Sequence, residues 1–519
     1  MKINILVALL GMMVVTSSCN KYLEEPPSKN SGVEISTTGH LDALLNKASY
    51  STFRTQMVPG LLYSTDSYEM TPEMYTAGFR RAGTKLDIIQ FSLWETPYVE
   101  KTNYLTSYWA SAYEGIFMAN LVLTNIEKVT GTEAEKAKLK ARAHMLRAYS
   151  YFEIVQYYCL PYGKNTVNEP GLPLKVTTGY EEATHRVSLQ TTYNFIEADI
   201  QEALKLDEPL FQNGVRLSWK ETTAGANALA ARFYLAIENY AKAQEAAEKV
   251  LTYDDYVRDY GSGEITQVLD VLSGKLVASN TTEANFHTTF LADWDRAFYN
   301  RTPTYMVDYT FPIASKKLQE IFGNHNYDLR KKLFLLDDMK NVSTMKIFVG
   351  NYFDKDANGQ SMKVPGFYQH GRQYMTLAPN VVEMILTKAE AMARLGNYQQ
   401  AMTELNKFRK YRIDKNAPDD IAVLKANNAQ EAVKHILEER HREFPYTVRW
   451  LDIRRINFNQ DPNDDVTLTK TFFPVNANAV DYAAAPIQYT LKPGSRKYAA
   501  AIPMEEIKAS NGTLEQNKY

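Results

Sequence analysis

The spacing of apolar and polar side chains divides the chain into two helical stretches separated by a stretch without period. Residues 40–255 read mainly as helices. Trp109, Ala112, Tyr113, Ile116, Asn120 and Leu123 recur at three- and four-residue intervals, which marks one helix face. Between 133 and 158, Leu139, Ala143, Leu146 and Ile154 form one stripe, and Met145, Tyr149 and Phe152 form another. A helix apolar on two sides is expected between neighbours. Leu189 to Leu206 reads as a further helix, and 219–252 as a helix pair. Helices return at 379–412 and 429–444, and 457–497 reads as irregular.

Two of these pairs share a finer pattern. Ala231-x2-Tyr234 followed by Tyr240-x2-Ala243-x3-Ala247-x2-Val250 has the spacing of a tetratricopeptide unit, and Ala389-x2-Met392 followed by Gly396-Asn397-Tyr398-x2-Ala401-x3-Leu405-x2-Phe408 repeats it. The small residues let two helices approach, and Tyr240 and Tyr398 fill the turn. The units lie far more than the about 34 residues of a tandem array apart. Such a pair serves as a partner-binding groove or as scaffold, and scaffold is favoured because isolated repeats need neighbours to bury their faces. Residues 256–378 mix Gly, Asn, Asp and aromatics with short strand-like runs such as Met345 to Val349. Long loops and small hairpins are expected there, and long loops in a compact protein are usually functional.

Ahead of all this, Lys2 precedes a mostly apolar run from Ile3 to Val15, then Thr16-Ser17-Ser18-Cys19. A basic start, a short apolar run and small residues match an export signal. The run falls short of the roughly 20 residues that span a bilayer. Small residues directly before Cys19 resemble a bacterial lipoprotein signal, in which that cysteine is lipidated; an ordinary signal with an incidental cysteine is the alternative. Asn20 to Ser36, with Pro26-Pro27, reads as a tether. The only other cysteine is Cys159, so a disulfide framework is excluded. With 58 Lys and Arg against 60 Asp and Glu, the chain lacks the basic excess that would collect phosphates, and nucleic acid is not an expected partner.

Catalytic motifs are missing from the sequence: no H-E-x-x-H, no G-x-S-x-G and no phosphate loop, since Gly366-x4-Gly371-Arg372-Gln373 lacks the Lys and the hydroxyl. His435 and His441 are six apart and do not share a helix face as metal ligands would. Asp354-x-Asp356-x-Asn358-Gly359 begins like a calcium loop, but Pro365 stands where the closing Glu belongs. A turn between strands at Ile347–Phe353 and Met362–Val364 is the simpler reading. No metal, cofactor or catalytic residue is therefore expected. Arg440 and Glu443, then Arg449 and Asp452, stand three apart with opposite charge, and suggest a structural ion-pair clasp pinned by Phe444 and Trp450.

Taken in order, several stretches resemble the SusD/RagB family of outer-membrane nutrient-binding lipoproteins. Cys19 is followed by Tyr22-Leu23-Glu24. Trp109-x3-Tyr113-x2-Ile116-x2-Ala119-Asn120 is similar to the family's first core helix. Ala141-x-Ala143-x2-Leu146-Arg147-Ala148-x2-Tyr151-Phe152, Pro161-Tyr162-Gly163 and Gly171-Leu172-Pro173-Leu174 resemble the next helix and its exit. Arg186-Val187-Ser188, Glu439-Arg440-x2-Glu443-Phe444, Arg449-Trp450-x-Asp452-Ile453-x-Arg455, Ile502-Pro503 and Gln516-Asn517 complete the series. The resemblance implies a mostly α fold, in which tetratricopeptide-type helix pairs are the scaffold and a loop-rich region with small β-hairpins carries the ligand. It also implies a lid role over a SusC-like TonB-dependent transporter, to which oligosaccharides (peptides, in the RagB branch) are passed.

Sugar rings lay apolar C–H faces on aromatic rings while their hydroxyls seek amides and charges. Two loop segments supply both: Trp94-Glu95-x2-Tyr98, and Asp293-Trp294-Asp295-Arg296-x2-Tyr299-Asn300 with Tyr305. The candidate ligand residues are accordingly Trp94, Tyr98, Asp293, Trp294, Arg296, Tyr299 and Tyr305, each weighed against simple packing under a loop. The expected organisation is a signal peptide at 1–18, a lipid anchor and tether at 19–40, a helical part at 41–255, and a part at 256–519 with the ligand loops, the second helix pair and the clasp. A non-catalytic glycan-binding lipoprotein of the Gram-negative outer membrane, exposed at the cell surface, is the expected whole. A peptide-binding uptake lipoprotein, a repeat scaffold that binds only protein and a lipoprotein hydrolase are its rivals.

Overall fold

The computed structural model describes residues 34–51, 59–179, 184–262, 296–300, 303–305, 313–338, 362–367, 374–446 and 448–519. Its helices are α1 (Thr38–Ser51), α2 (Leu86–Ser92), α3 (Asn103–Asn125), α4 (Glu133–Tyr158), α5 (Leu189–Ala203), α6 (Thr223–Ala236), α7 (Tyr240–Leu251), α8 (Lys316–Ile321), α9 (Leu329–Phe334), α10 (Val381–Arg394), α11 (Tyr398–Arg409), α12 (Ala429–Glu443), α13 (Val448–Ile456) and α14 (Met504–Ala509), with further short turns between them. Strands pair two at a time, antiparallel: β1 (Phe211–Gln212) with β2 (Val215–Arg216), β3 (Pro303–Tyr305) with β6 (Tyr374–Thr376), β4 (Leu335–Leu336) with β5 (Gly366–Phe367), and β7 (Leu468–Phe472) with β8 (Ile487–Leu491). The fold is mostly α, with helix pairs as scaffold.

α4 shows how local chemistry sets an element. The Thr132 hydroxyl accepts from the Glu135 N–H at 3.2 Å and the Glu135 carboxylate accepts from the Thr132 N–H at 2.8 Å, a reciprocal cap that satisfies two orphan donors. Both expected stripes of α4 are buried, because α3 covers one side and α5 the other. The two tetratricopeptide-like pairs are α6–α7 and α10–α11, and α7 packs directly along α10. Ala243, Ala247, Ala389 and Ala393 are fully buried there and let the backbones come close. Units remote in sequence are thus neighbours in space, and the intervening stretch leaves and returns between adjacent helices. One apolar core runs from Leu41 to Leu514 through both halves.

The structure corrects three local expectations. Residues 457–497 are not irregular throughout, for they hold the β7–β8 hairpin, with Leu468 opposite Leu491 and Lys470 opposite Tyr489. Within 256–378, α8 and α9 are helical; Met345–Val349 and the turn at Asp354–Gly359 lie outside the described residues, and Met362–Val364 forms no strand. The clasp exists with different partners. Arg440 pairs with Asp452 (2.9 and 3.0 Å), while Glu443 takes Arg330 and Arg412, and Arg449 grips Asp66. Helix neighbours three apart lose here to carboxylates on other elements, which reach each guanidinium in two-pronged geometry. Trp450 stacks on Tyr498 with ring centroids 5.4 Å apart and serves as a pin, as does the half-buried Phe444.

The other motif residues hold chain crossings. Tyr113 donates to the Pro173 carbonyl and Asn120 to those of Lys175 and Thr177, fixing the segment that follows α4. Arg186 donates to the Gly171 carbonyl at 2.7 Å and to Asn517 at 2.8 Å, while Gln516 makes two hydrogen bonds with the backbone of Ile502. The C-terminal residues are in this way bound to the α4 exit.

Candidate functional site

The first candidate segment follows α2. Trp94 adopts φ +59°, and its indole N–H donates to the Ser64 carbonyl at 2.9 Å. The ring is 1% exposed and the Lys470 ammonium lies 5.1 Å from its centroid. Trp94 therefore packs beneath its loop and has no free face for a sugar, because the loop closes over it and β7 lies behind. Glu95, next in the chain, pairs with Lys497 at 2.8 Å, and Tyr98 is 39% exposed. Behind them stands Tyr489, half-buried, with its hydroxyl accepting from the Val475 N–H and donating to the Phe473 carbonyl. Burial raises its pKa, and the nearby Glu95 and Tyr98 add to the rise. The loop joining β7 to β8 carries Tyr482, 50% exposed, with the Arg80 guanidinium 4.4 Å from its ring centroid. Tyr98 is thus an exposed ring beside the Glu95–Lys497 ion pair, and Tyr482 an exposed ring with Arg80 over one face; exposed rings with polar neighbours are the chemistry that sugars require.

The second segment is anchored elsewhere, beside α6. Asp293 and Trp294 lie outside the described residues; Tyr305 is placed by its backbone, paired with Tyr374. Arg296 pairs with Asp254 at 3.1 Å and covers the Tyr256 ring at 4.2 Å, and Asp254 also takes Arg216. Tyr299 is fully buried. Its hydroxyl donates to Glu221 at 2.7 Å and its ring meets the Tyr149 ring edge-on, so it is a core residue and has no face for ligand. Exposed Trp219 and Tyr256 stand near this anchor. Tyr256 and Tyr482 escaped the reading of the sequence, although each follows an acidic residue, Asp255 and Asp481, in an aperiodic stretch.

A cleft of about 630 Å³ runs between α8, α12 and the 461–466 loop, with Lys317, Glu320, Lys434 and Glu438 on its walls and His441 and Asp66 at its floor. The Ser67 hydroxyl lies 2.8 Å from His441 Nε2, an approach that invites comparison with a nucleophile and its base. Asp66 stands 3.6 Å from that same nitrogen and is held by Arg449, and among the described residues no carboxylate bonds the other nitrogen as a relay needs. Burial and Arg449 push the imidazole pKa down to about 3 against the pull of Asp66, and His441 is a neutral core residue. Cys159 is buried 3.7 Å from Arg186, its thiol pKa raised by burial despite that guanidinium, which makes it unreactive. Among the described residues no three metal-ligating side chains converge, and no helix is long and apolar enough to cross a membrane.

Two family models match the chain: "Starch-binding associating with outer membrane" over residues 21–235, and "SusD family" over residues 381–519. No curated protein matches. Among solved structures, a SusD-like carbohydrate binding protein from Bacteroides vulgatus is 16% identical, with a TM-score of 0.60 over 92% of this chain and 97% of its own. A putative sugar binding protein from the same species is 19% identical, with 0.61 over 94% and 99%. A SusD superfamily protein from Bacteroides thetaiotaomicron is 15% identical, with 0.60 over 93% and 100%. With family matches at both ends and this fold between them, the chain belongs to the SusD/RagB family.

Proposed function

We propose that the protein is a non-catalytic cell-surface lipoprotein, anchored in the outer membrane through Cys19, that captures oligosaccharides and delivers them to a SusC-like TonB-dependent transporter. The observation that carries the reading is the exposure of the Tyr98 ring beside the Glu95–Lys497 pair and of the Tyr482 ring beside Arg80, in a chain of this family. Near-neutral net charge and 35 tyrosines suit an uncharged, hydroxyl-rich ligand. Trp294, Asp293, Arg296 and Tyr305 complete the proposed ligand set, and Trp94 and Tyr299 support it from below.

Protein from Asn20 onward is expected to be retarded in native gels containing one of a panel of soluble glycans, starch first. Tyr98→Ala and Trp294→Ala are each expected to weaken retention about tenfold, the worth of one ring stacked on a ligand. Retention of peptides and of no glycan moves the protein to the peptide-binding branch, and turnover of a retained glycan overturns the non-catalytic reading. Separately, Cys19→Ser is expected to release the full chain from the membrane fraction. A Cys19→Ser protein that still sediments with membranes refutes the anchor.

A further inference from the structure

β7 alternates as a half-buried strand should: Leu468, Lys470 and Phe472 turn inward, and Thr469 and Thr471 outward. Apolar side chains fill two of the three inward positions, and the middle one is a lysine only 7% exposed. Its ammonium donates to the Tyr63 carbonyl at 2.7 Å and sits between two rings, 5.1 Å from the centroid of Trp94 and 5.4 Å from that of Tyr68. A charge in a core position costs stability, and such breaks in local pattern concentrate where function demands them. Trp94 is the second irregularity, since a bulky L-residue at φ +59° is strained unless its surroundings hold it. The Ser64 carbonyl holds the indole edge, and Lys470 the face. The residues directly after it are Glu95 and, at the surface, Tyr98. Opposite Lys470 on β8 stands Tyr489, the ring that backs Glu95 and Tyr98.

We propose that Lys470 is the positioning residue of the ligand loop: its ammonium, held between the Trp94 and Tyr68 rings, fixes Trp94 in its left-handed conformation and so sets Glu95 and Tyr98 in place for the glycan. The inference rests on the glycan-binding reading of that loop. Cation–π attraction to Trp94 exists only while the amine is protonated. Burial pushes the Lys470 pKa down to about 7, with Glu69 and Asp66 pulling weakly the other way. The groups facing it are Asp66, Glu69, Tyr63 and Tyr68 from one segment, Trp94 from the loop and Tyr489 from β8. Burial raises Asp66, but Arg449 more than reverses this and keeps it ionised; burial holds Tyr68 neutral. Of Asp66, Tyr68 and Lys470, Lys470 is the one that changes charge near neutrality.

The sign separates positioning from mere support of the fold. A lysine whose folded pKa lies below its unfolded value makes the protein more stable as pH rises from about 7 to about 10, because the unfolded chain binds the extra proton there. Binding runs the other way, about tenfold weaker at pH 9 than at pH 6 as the cation–π contact is lost. The test measures retention on soluble starch, or on the panel glycan that retards the wild type, at pH 6 to 9. Ligand-free tryptophan emission and the denaturation midpoint are followed over the same range, with Trp94→Phe identifying the Trp94 emission. Lys470→Met, which suits the strand pattern, is expected to fold, to bind at every pH as weakly as wild type at pH 9, and to lose the emission step near pH 7. Lys470→Arg, which stays charged, is expected to restore pH-6 affinity at all pH values. A Lys470→Met protein with wild-type affinity at pH 6, or a wild type whose affinity does not change with pH, overturns the inference and leaves the glycan-binding reading standing. If no glycan retards the wild type at any pH, the ligand-loop reading fails and this inference with it.

Discussion

Replacing Glu439 by alanine is expected to lower the free energy of unfolding by about 4 kcal/mol, the scale for removing one partner from a buried ion cluster. Glu439 is 0% exposed and accepts from Arg330 at 2.7 Å, Arg409 at 2.6 Å and Arg442 at 2.9 Å. Without it these guanidiniums face one another with less than their share of negative charge. Asp328 and Glu443 still serve Arg330, so the deficit falls mainly on Arg409, whose remaining acceptor is the Ile421 carbonyl. Removing Arg409 as well is therefore expected to recover part of the loss, a coupling read from the double-mutant cycle in guanidinium chloride. A Glu439→Ala midpoint equal to wild type would mean that water enters and solvates the cluster.

The same carboxylate sets part of the acid limit. Burial pushes the Glu439 pKa up, and Arg330, Arg409 and Arg442 more than reverse this, holding it well below the usual carboxylate range; Glu390 and Asp66 behave alike among their own arginines. A carboxyl with a depressed folded pKa contributes stability that is complete above its unfolded value near 4.3 and is lost as pH falls below it. Wild-type midpoints are expected to fall steeply below about pH 5, and Glu439→Ala to show a shallower slope in that window.

These carboxylates also show where sequence reading succeeds and where it stops. Glu439, Arg440, Glu443, Arg449 and Asp452 are recognisable as a clasp because their charges alternate at helical spacing. Their partners are not, because Asp66, Arg330 and Arg412 come from segments whose proximity only the folded chain creates. α4 and the two helix pairs are legible because burial on two sides and small-residue spacing leave a periodic trace. The packing of α7 on α10 leaves none, since nothing local says which faces meet. The ligand loops stand between these cases. Tyr98 carries polar neighbours and is exposed, whereas Trp94 and Tyr299 have the same local signature and are buried. Their fates are decided by Ser64, Lys470 and Glu221, all distant in sequence. Lys470 itself hid β7, because a lysine at the centre of an inward-facing row breaks the apolar alternation that marks a strand.

Gly163→Ala is expected to cost about 3 kcal/mol, the upper part of the range for overpacking, although it adds one methyl group. A Cβ at this position would collide with the Phe458 carbonyl oxygen, which is backbone and cannot rotate away. Neither side of the contact is free to slide. Thr166 hydrogen-bonds the Gly163 carbonyl through both its N–H (2.9 Å) and its hydroxyl (3.0 Å), and fixes the turn after α4. Across from it, Arg454 donates to the Cys159 carbonyl at 2.7 Å, and Asn457 makes two hydrogen bonds with the backbone of Val466. Gly171→Ala is expected to cost less, since the nearest atom, Thr192 Oγ1, belongs to a side chain and not to backbone, although moving it breaks its hydrogen bonds with the Leu172 N–H and the Ser188 carbonyl, the latter next at 2.8 Å. Gly214→Ala is the control: φ is +77° with nothing within 4 Å, so only the backbone preference is lost, about 1 kcal/mol. Denaturation midpoints should therefore fall in the order Gly163, Gly171, Gly214, the first lowest. Equal midpoints for the three would mean that the α4 exit and the end of α13 can part, and that the close backbone approach is not what holds the clasp against the helical scaffold.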